Sequence, residues 1–326
     1  MKATERPIAL LAATREPFDT RCEDGWRLRG EWVLPRDPRA VAIAGHAMLA
    51  DRRTLDRPFG QGLVSTLARH SIAVLWPDLR GHGTSGPRAE DGGDWGYDDL
   101  VERDVPALVD AARSRFPGLP VFAVGHSLFG HVALAHAARH PAVPLAGIAM
   151  ISCNMWNPEW RRPLNRLRRG VLLELASAVG TLVGRFPARR LGVGSNDEAV
   201  QYVQDLARFS RAGDWRARDG FSYYAALPRV RVPVRAWVGA GDHLLSPPSE
   251  ARGIVSPIPG ARLDVVGRRT GLPFDPGHME TVLDARARPV WEDVATFIGT
   301  KAQGWHRSSM LPGVEDLTPL CRPSRP

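Results

Sequence analysis

The chain has 326 residues, 44% of them hydrophobic and 24% charged, with a formal net charge of +8. A chain of this length buries enough surface to fold without a metal or a disulfide, and Cys22, Cys153 and Cys321 are too scattered for a zinc ribbon or a disulfide scaffold. Of 43 basic residues only Lys2 and Lys301 are lysine, a skew that reads as compositional bias spread over the surface, so no nucleic-acid partner is expected. No stretch approaches the ~20 apolar residues of a membrane span. The run Ile8–Ala13, preceded by Glu5, is too short for a signal-peptide core. The expected setting is cytoplasmic, with no stable membrane insertion.

Residues 1–16 read as an N-terminal extension. Two strand-like runs follow, around Phe18–Arg21 and Trp26–Leu34, joined by the turn Glu23-Asp24-Gly25. Apolar bursts then alternate with helical patterns. The bursts are Val41–Ala44, Ile72–Trp76, Pro120–Val124, Leu145–Ile151, Val232–Val238 and Ala261–Val266; the helices fall near 54–69, 97–115, 127–139, 248–255 and 280–298. Short, continuously apolar strands separated by helices imply a mostly parallel sheet covered on both faces. The fold class is therefore α/β, with its core in residues 17–152 and 228–300. The interval 153–227 breaks the rhythm, with tryptophans, an arginine cluster and an apolar helix at Val171–Val183. It reads as a helical cap inserted on top of the sheet. Residues 301–326 are polar and proline-containing and read as a disordered tail.

Gly125-His126-Ser127-Leu128-Phe129-Gly130 follows an apolar strand and opens a helix. A serine on such a turn projects from the top of the sheet, and the next backbone N–H groups sit at the positive end of the helix, where an oxyanion can be stabilised. Serine needs a base, and the base needs an orienting acid. Asp242 and His278 follow in that order, each in a loop beyond a strand end. In a parallel sheet those strand ends share one edge, so the three residues converge.

On these residues, together with Asp78-Leu-Arg-Gly-His-Gly-Thr-Ser-Gly86 after a strand, the chain resembles the α/β-hydrolase-fold serine hydrolases. The likeness covers about residues 17 to 300 and leans toward the monoglyceride-lipase-like and serine-aminopeptidase-like branch. It implies an α/β-hydrolase fold and cleavage of carboxylic esters through an acyl-enzyme, without a cofactor, on a small, hydrophobic ester substrate. Ser127 is then the nucleophile, His278 the base and Asp242 its orienter; Leu128 and Ala47 supply the oxyanion N–H groups. Acyl transfer, amide hydrolysis and silent ligand binding are the alternatives on the same fold.

Two departures from the family pattern stand out. Phe129 occupies a position that is usually glycine, with Gly130 one step later, and Gly45-His46 inverts the usual His-Gly, which leaves Met48 as an alternative oxyanion donor to Ala47. Met48, Phe129 and Trp156 are expected around the acyl pocket. Asp78, Arg80 and Ser85 are expected to fix their loop, and His126 to shape the turn. His136 and His140 have a zinc-compatible spacing, but no third ligand suggests itself in the sequence, so no metal is expected. The cluster Arg161, Arg162, Arg166, Arg168 and Arg169 reads as a solvated helix face, with steering of an anionic substrate or contact with an acidic membrane surface as the alternative.

Overall fold

The structure, a computed structural model, describes residues 13–155 and 163–309. Eight strands form one sheet: β1 (Thr14–Arg21), β2 (Arg27–Leu34), β3 (Ala40–Gly45), β4 (Ile72–Pro77), β5 (Val121–His126), β6 (Gly147–Ile151), β7 (Val234–Gly239) and β8 (Arg262–Val266). Their order is β1-β2-β4-β3-β5-β6-β7-β8. β1 and β2 are antiparallel to their neighbours, and every pairing from β4 to β8 is parallel. The central strands β3, β4, β5 and β6 are buried along their whole length. That is why their sequences carry no polar alternation.

Two apolar layers sandwich the sheet. On one face α3 (Val105–Arg115) and α4 (Leu128–Arg139) pack against Val41, Ile43, Leu75, Ala123 and Met150. On the other, α1 (Leu63–Arg69) and α11 (Arg288–Ser309) cover Ala42, Val74, Phe122, Val124 and Trp237. A short α2 (Tyr97–Asp99) runs through a π-helical turn, Leu100–Asp104, into α3. Between β6 and β7 lie α5 (Pro163–Val183), α6 (Ala188–Leu191), α7 (Val200–Ala212) and α8 (Tyr223–Ala226), and α5 packs on α7. α9 (Pro248–Val255) and α10 (Glu280–Leu283) complete the described chain.

Three boundaries differ from the sequence reading. β1 begins at Thr14, so the N-terminal extension ends sooner than residue 16. α1 begins only at Leu63, because Pro58, Gly60 and Gly62 interrupt the preceding segment. α11 continues to Ser309, beyond the expected end of ordered structure: Ala302 is buried against the second layer and extends the helix past residue 300. The remainder of the expected tail lies outside the described residues.

Candidate active site

β5 delivers the chain to Ser127, whose backbone sits at φ 51° and ψ −107°. A side chain rarely adopts this region, at a cost of about 1–3 kcal/mol. Two glycines make the sharp reversal possible. A Cβ on Gly125 would lie 2.0 Å from the Gly130 nitrogen, and one on Gly130 would lie 2.2 Å from Cys153 Sγ. The demand for smallness therefore falls on Gly130, one residue later than in the usual pattern. Ser127 N–H is anchored on Ile151 O at 2.9 Å, while its side chain makes no capping hydrogen bond to α4, so the hydroxyl is not spent on the helix. Replacing Ser127 by glycine should raise the melting temperature, through release of about 1 kcal/mol net of the glycine entropy penalty, while removing the hydroxyl. A thermal melt showing no gain would contradict the strain.

Phe129 is not an acyl-pocket residue. It is 1% exposed and packed in the core under the turn. Its ring occupies the space where Gly45 has no side chain: a Cβ there would meet Phe129 Cγ at 2.1 Å. Phe129 N–H also donates to His46 O at 3.4 Å. The two departures from the family pattern are thus halves of one packing arrangement, with the glycine on β3 making room for the ring on α4.

The loop after β3 is held by His46, which is fully buried. Leu79 N–H donates to its Nε2 at 3.0 Å, so the ring proton sits on Nδ1 and is donated to Ala47 O at 2.8 Å. Burial, aided by nearby His82, pushes the His46 pKa down to about 4, and the ring stays neutral. Ala47 and Leu128 N–H groups have no protein acceptor among the described residues. Ala47, Met48 and Leu128 all line the same cavity as Ser127.

Asp242 follows β7 and His278 precedes α10. Asp242 Oδ1 accepts Leu245 N–H at 3.0 Å and Ser246 N–H at 2.9 Å, and Oδ2 faces His278 Nδ1 at 2.7 Å. Burial raises the Asp242 pKa, but the hydrogen bond and charge of His278 and the two backbone donors outweigh it, so the carboxyl is held below its ordinary value. The residue is at once the cap of the 242–246 turn and the orienter of a histidine. His126 has a role that its position in the turn does not reveal. It is 1% exposed and its Nε2–H donates to His278 O at 3.0 Å. Thr281 Oγ1 donates to the same carbonyl at 2.9 Å. The Ser127 turn and the His278 loop are therefore tied together directly.

Asp78 accepts Thr84 N–H at 2.8 Å and the Arg52 guanidinium, and Ser85 Oγ donates to Asp78 O at 2.7 Å. Arg80 Nε donates to Asp104 at 2.7 Å in the interior. These residues fix a loop and do not face the cavity. Of the arginine cluster, Arg168 is exposed, but Arg169 is buried and donates two hydrogen bonds of 2.6 Å to Glu250 on α9. It joins α5 to the sheet-covering layer, which corrects its reading as solvated. Trp156, Arg161, Arg162 and the Arg166 side chain lie outside the described residues.

Ser127 and His278 open onto one cavity of about 720 Å³, roofed by Leu172, Leu173, Ala176 and Val179 of α5 and by Tyr202, Leu206 and Phe209 of α7. A depression of about 800 Å³ near Arg52 and Trp76 contains neither Ser127 nor His278. An eight-stranded sheet with this order, a serine turn after β5, and an Asp–His pair beyond β7 and β8 meet at one edge. The chain has the α/β-hydrolase fold. The family model described as serine aminopeptidase, S33, matches residues 58–212 of this chain. It is 25% identical to a monoacylglycerol lipase of Mycolicibacterium smegmatis over 231 residues, 70% of each chain. It is 45% identical to the human monoglyceride lipase over 58 residues, 18% of this chain and 19% of the relative. Among solved structures it resembles a hydrolase from Pseudomonas aeruginosa, with a TM-score of 0.57 at 21% identity, covering 87% of this chain and 98% of that one. A second resemblance is to an esterase from Pyrococcus furiosus, with a TM-score of 0.56 at 16% identity over 90% and 93% of the two chains.

One residue that the sequence did not single out connects the α5–α8 segment to the loop after β3. Glu198 is fully buried; its Oε1 accepts Leu49 N–H at 2.7 Å and faces His82 Nε2 at 3.0 Å. His82 Nδ1 faces Arg80 O at 2.8 Å, so both ring nitrogens meet acceptors. Burial alone lowers the His82 pKa, but the charge and hydrogen bond of Glu198 raise it above the ordinary histidine value. This contribution to stability is complete below the unfolded value, near ~6.5, and is lost as pH rises through the higher folded one. Melting temperature should therefore fall as pH is raised from neutrality, and Glu198→Gln should flatten that slope. A slope identical in both proteins would contradict the assignment.

Proposed function

We propose that the protein is a serine hydrolase of carboxylic esters with apolar acyl groups, acting through an acyl-enzyme. The observation that carries this reading is the strained Ser127 opening onto the same largely apolar cavity as His278, whose Nδ1 lies 2.7 Å from the Asp242 carboxylate. Ser127 Oγ attacks the ester carbonyl, and His278 Nε2 takes the hydroxyl proton and returns it to the leaving alkoxide. Water then repeats the sequence on the acyl-serine. Asp242 fixes the His278 tautomer with the proton on Nδ1, and the N–H groups of Leu128 and Ala47 stabilise the tetrahedral oxyanion.

In this reading residues 153–227 act as a cap over the serine. α5 and α7 supply the walls against which the acyl chain packs, and their leucines and aromatic residues favour neutral, apolar substrates. The lipase and esterase names of the relatives agree with that preference. Treatment of wild type and Ser127→Ala with a fluorophosphonate probe tests the chemistry. Labelling and turnover of p-nitrophenyl esters are expected in wild type alone, with turnover increasing from acetyl to medium acyl chains. Labelling of Ser127→Ala at the wild-type rate would sink the assignment of the nucleophile.

A further inference from the structure

We propose that Glu102, His136 and His140 form a binding site for a divalent transition metal of the zinc type, on the flank of the molecule away from the serine. α4 places His136 one turn before His140, with ring centroids 4.7 Å apart. The sequence offers this pair no third ligand, and the fold provides one. Glu102 lies in the π-helical turn Leu100–Asp104 and comes close to the two rings. One ligand atom from each of the three residues lies within 4.8 Å of the others. Tetrahedral zinc at ~2.0–2.1 Å from each ligand requires separations of about 3.4 Å, so closure needs side-chain movements of about 1 Å. The earlier expectation of no metal is revised on this ground.

Three further features suit the site to an ion. His136 Nδ1 lies 2.8 Å from Val101 O, an acceptor only. That carbonyl holds the ring proton on Nδ1 and leaves the Nε2 lone pair available, as the outer hydrogen bond of a metal-bound histidine does. Glu102 Oε2 already faces His140 Nε2 at 2.7 Å, whereas Glu102 Oε1 is buried and accepts no hydrogen bond. The Glu102 and His140 side chains are 30% and 45% exposed, which gives an ion a route in and leaves room for water as a fourth ligand. Two imidazoles and one carboxylate match zinc-type ions and are a poor set for calcium or magnesium, which take oxygen ligands.

One cation competes. Arg139 Nε lies 3.4 Å from Glu102 Oε1, although the same guanidinium is also paired with Asp219. His140 lies 13 residues beyond Ser127 along α4, roughly 20 Å of helix. The ion therefore has no part in acyl transfer; it cross-links the π-helical turn to the end of the nucleophile helix.

The test uses the full chain, stripped with EDTA, dialysed and titrated with ZnCl2 by calorimetry, with Co2+ as the spectroscopic probe. Expected are one tight equivalent per chain, a metal-dependent rise in melting temperature, and visible Co2+ bands of four-coordinate intensity. His140→Ala and Glu102→Gln, both at partly exposed positions, should each weaken binding by at least about tenfold. The double variant should abolish the Co2+ bands, while p-nitrophenyl ester turnover of the metal-free proteins stays at the wild-type rate. Wild-type binding no tighter than that of the double variant, or Co2+ bands unchanged by it, would overturn the proposal.

Discussion

Asp242→Asn is expected to lower ester turnover by about 10⁴-fold and to slow fluorophosphonate labelling in parallel, with little change in melting temperature. The reason lies in how the two carboxylate oxygens are used. Oδ1 faces two backbone N–H donors, from Leu245 and Ser246, and Oδ2 faces His278 Nδ1. An asparagine must keep its oxygen on the two donors, because turning its NH2 toward them would set a donor against the N–H groups of Leu245 and Ser246. The NH2 then points at His278 Nδ1 and forces that nitrogen to accept. The ring proton moves to Nε2, the one atom that must be a lone pair to take the serine proton. Geometry is preserved and the tautomer is wrong. Equal turnover by Asp242→Asn and wild type would remove Asp242 from the triad.

Gly45→Ala is expected to be among the most damaging single-methyl additions in this protein. The new Cβ would lie 2.1 Å from Phe129 Cγ and 2.6 Å from Phe129 Cβ. Because contact is made at the root of the side chain, no rotation of the ring relieves it. Overpacking of this kind costs about 1–3 kcal/mol, which at about 2–4 °C per kcal/mol lowers the melting temperature by roughly 2–12 °C. The partner positions make the result diagnostic. Phe129→Ala keeps its own Cβ and should not rescue Gly45→Ala, whereas Phe129→Gly should recover part of the loss. Phe129→Gly alone empties the ring's site and costs about 3–5 kcal/mol, so the double variant should be markedly more stable than the sum of the two single changes predicts. Additive melting shifts would dissolve the coupling between β3 and α4.

The sheet was legible because parallel strands buried on both faces must be continuously apolar, and Val41–Ala44, Ile72–Trp76 and Pro120–Val124 are. Ser127, Asp242 and His278 were legible because each follows or precedes an element whose end could be placed in sequence. What escaped the reading depends on contacts between distant elements. The tolerance of Phe129 rests on the absence of a side chain at Gly45, 84 residues earlier in the chain. Arg169 looks like one more surface arginine until α9 brings Glu250 to it. Glu102, 34 residues before His136, shows its relation to that residue only once the chain is folded. No local periodicity encodes these pairings; they arise when elements distant in the sequence meet.

The buried Glu198 has a consequence for anyone who would exchange parts among such proteins. Its carboxylate, carried by the segment between β6 and β7, holds the Leu49 amide just beyond Ala47 and Met48 and also meets His82. The α5–α8 segment is therefore not a detachable module. A chimera that grafts a foreign segment between Ile151 and Val234 without an acid at this place leaves the Leu49 N–H and the His82 ring without their Glu198 acceptor, and the loop after β3 loses its support. Engineering substrate range in this scaffold should thus begin at the walls of α5 and α7 and leave residues 195–198 in place.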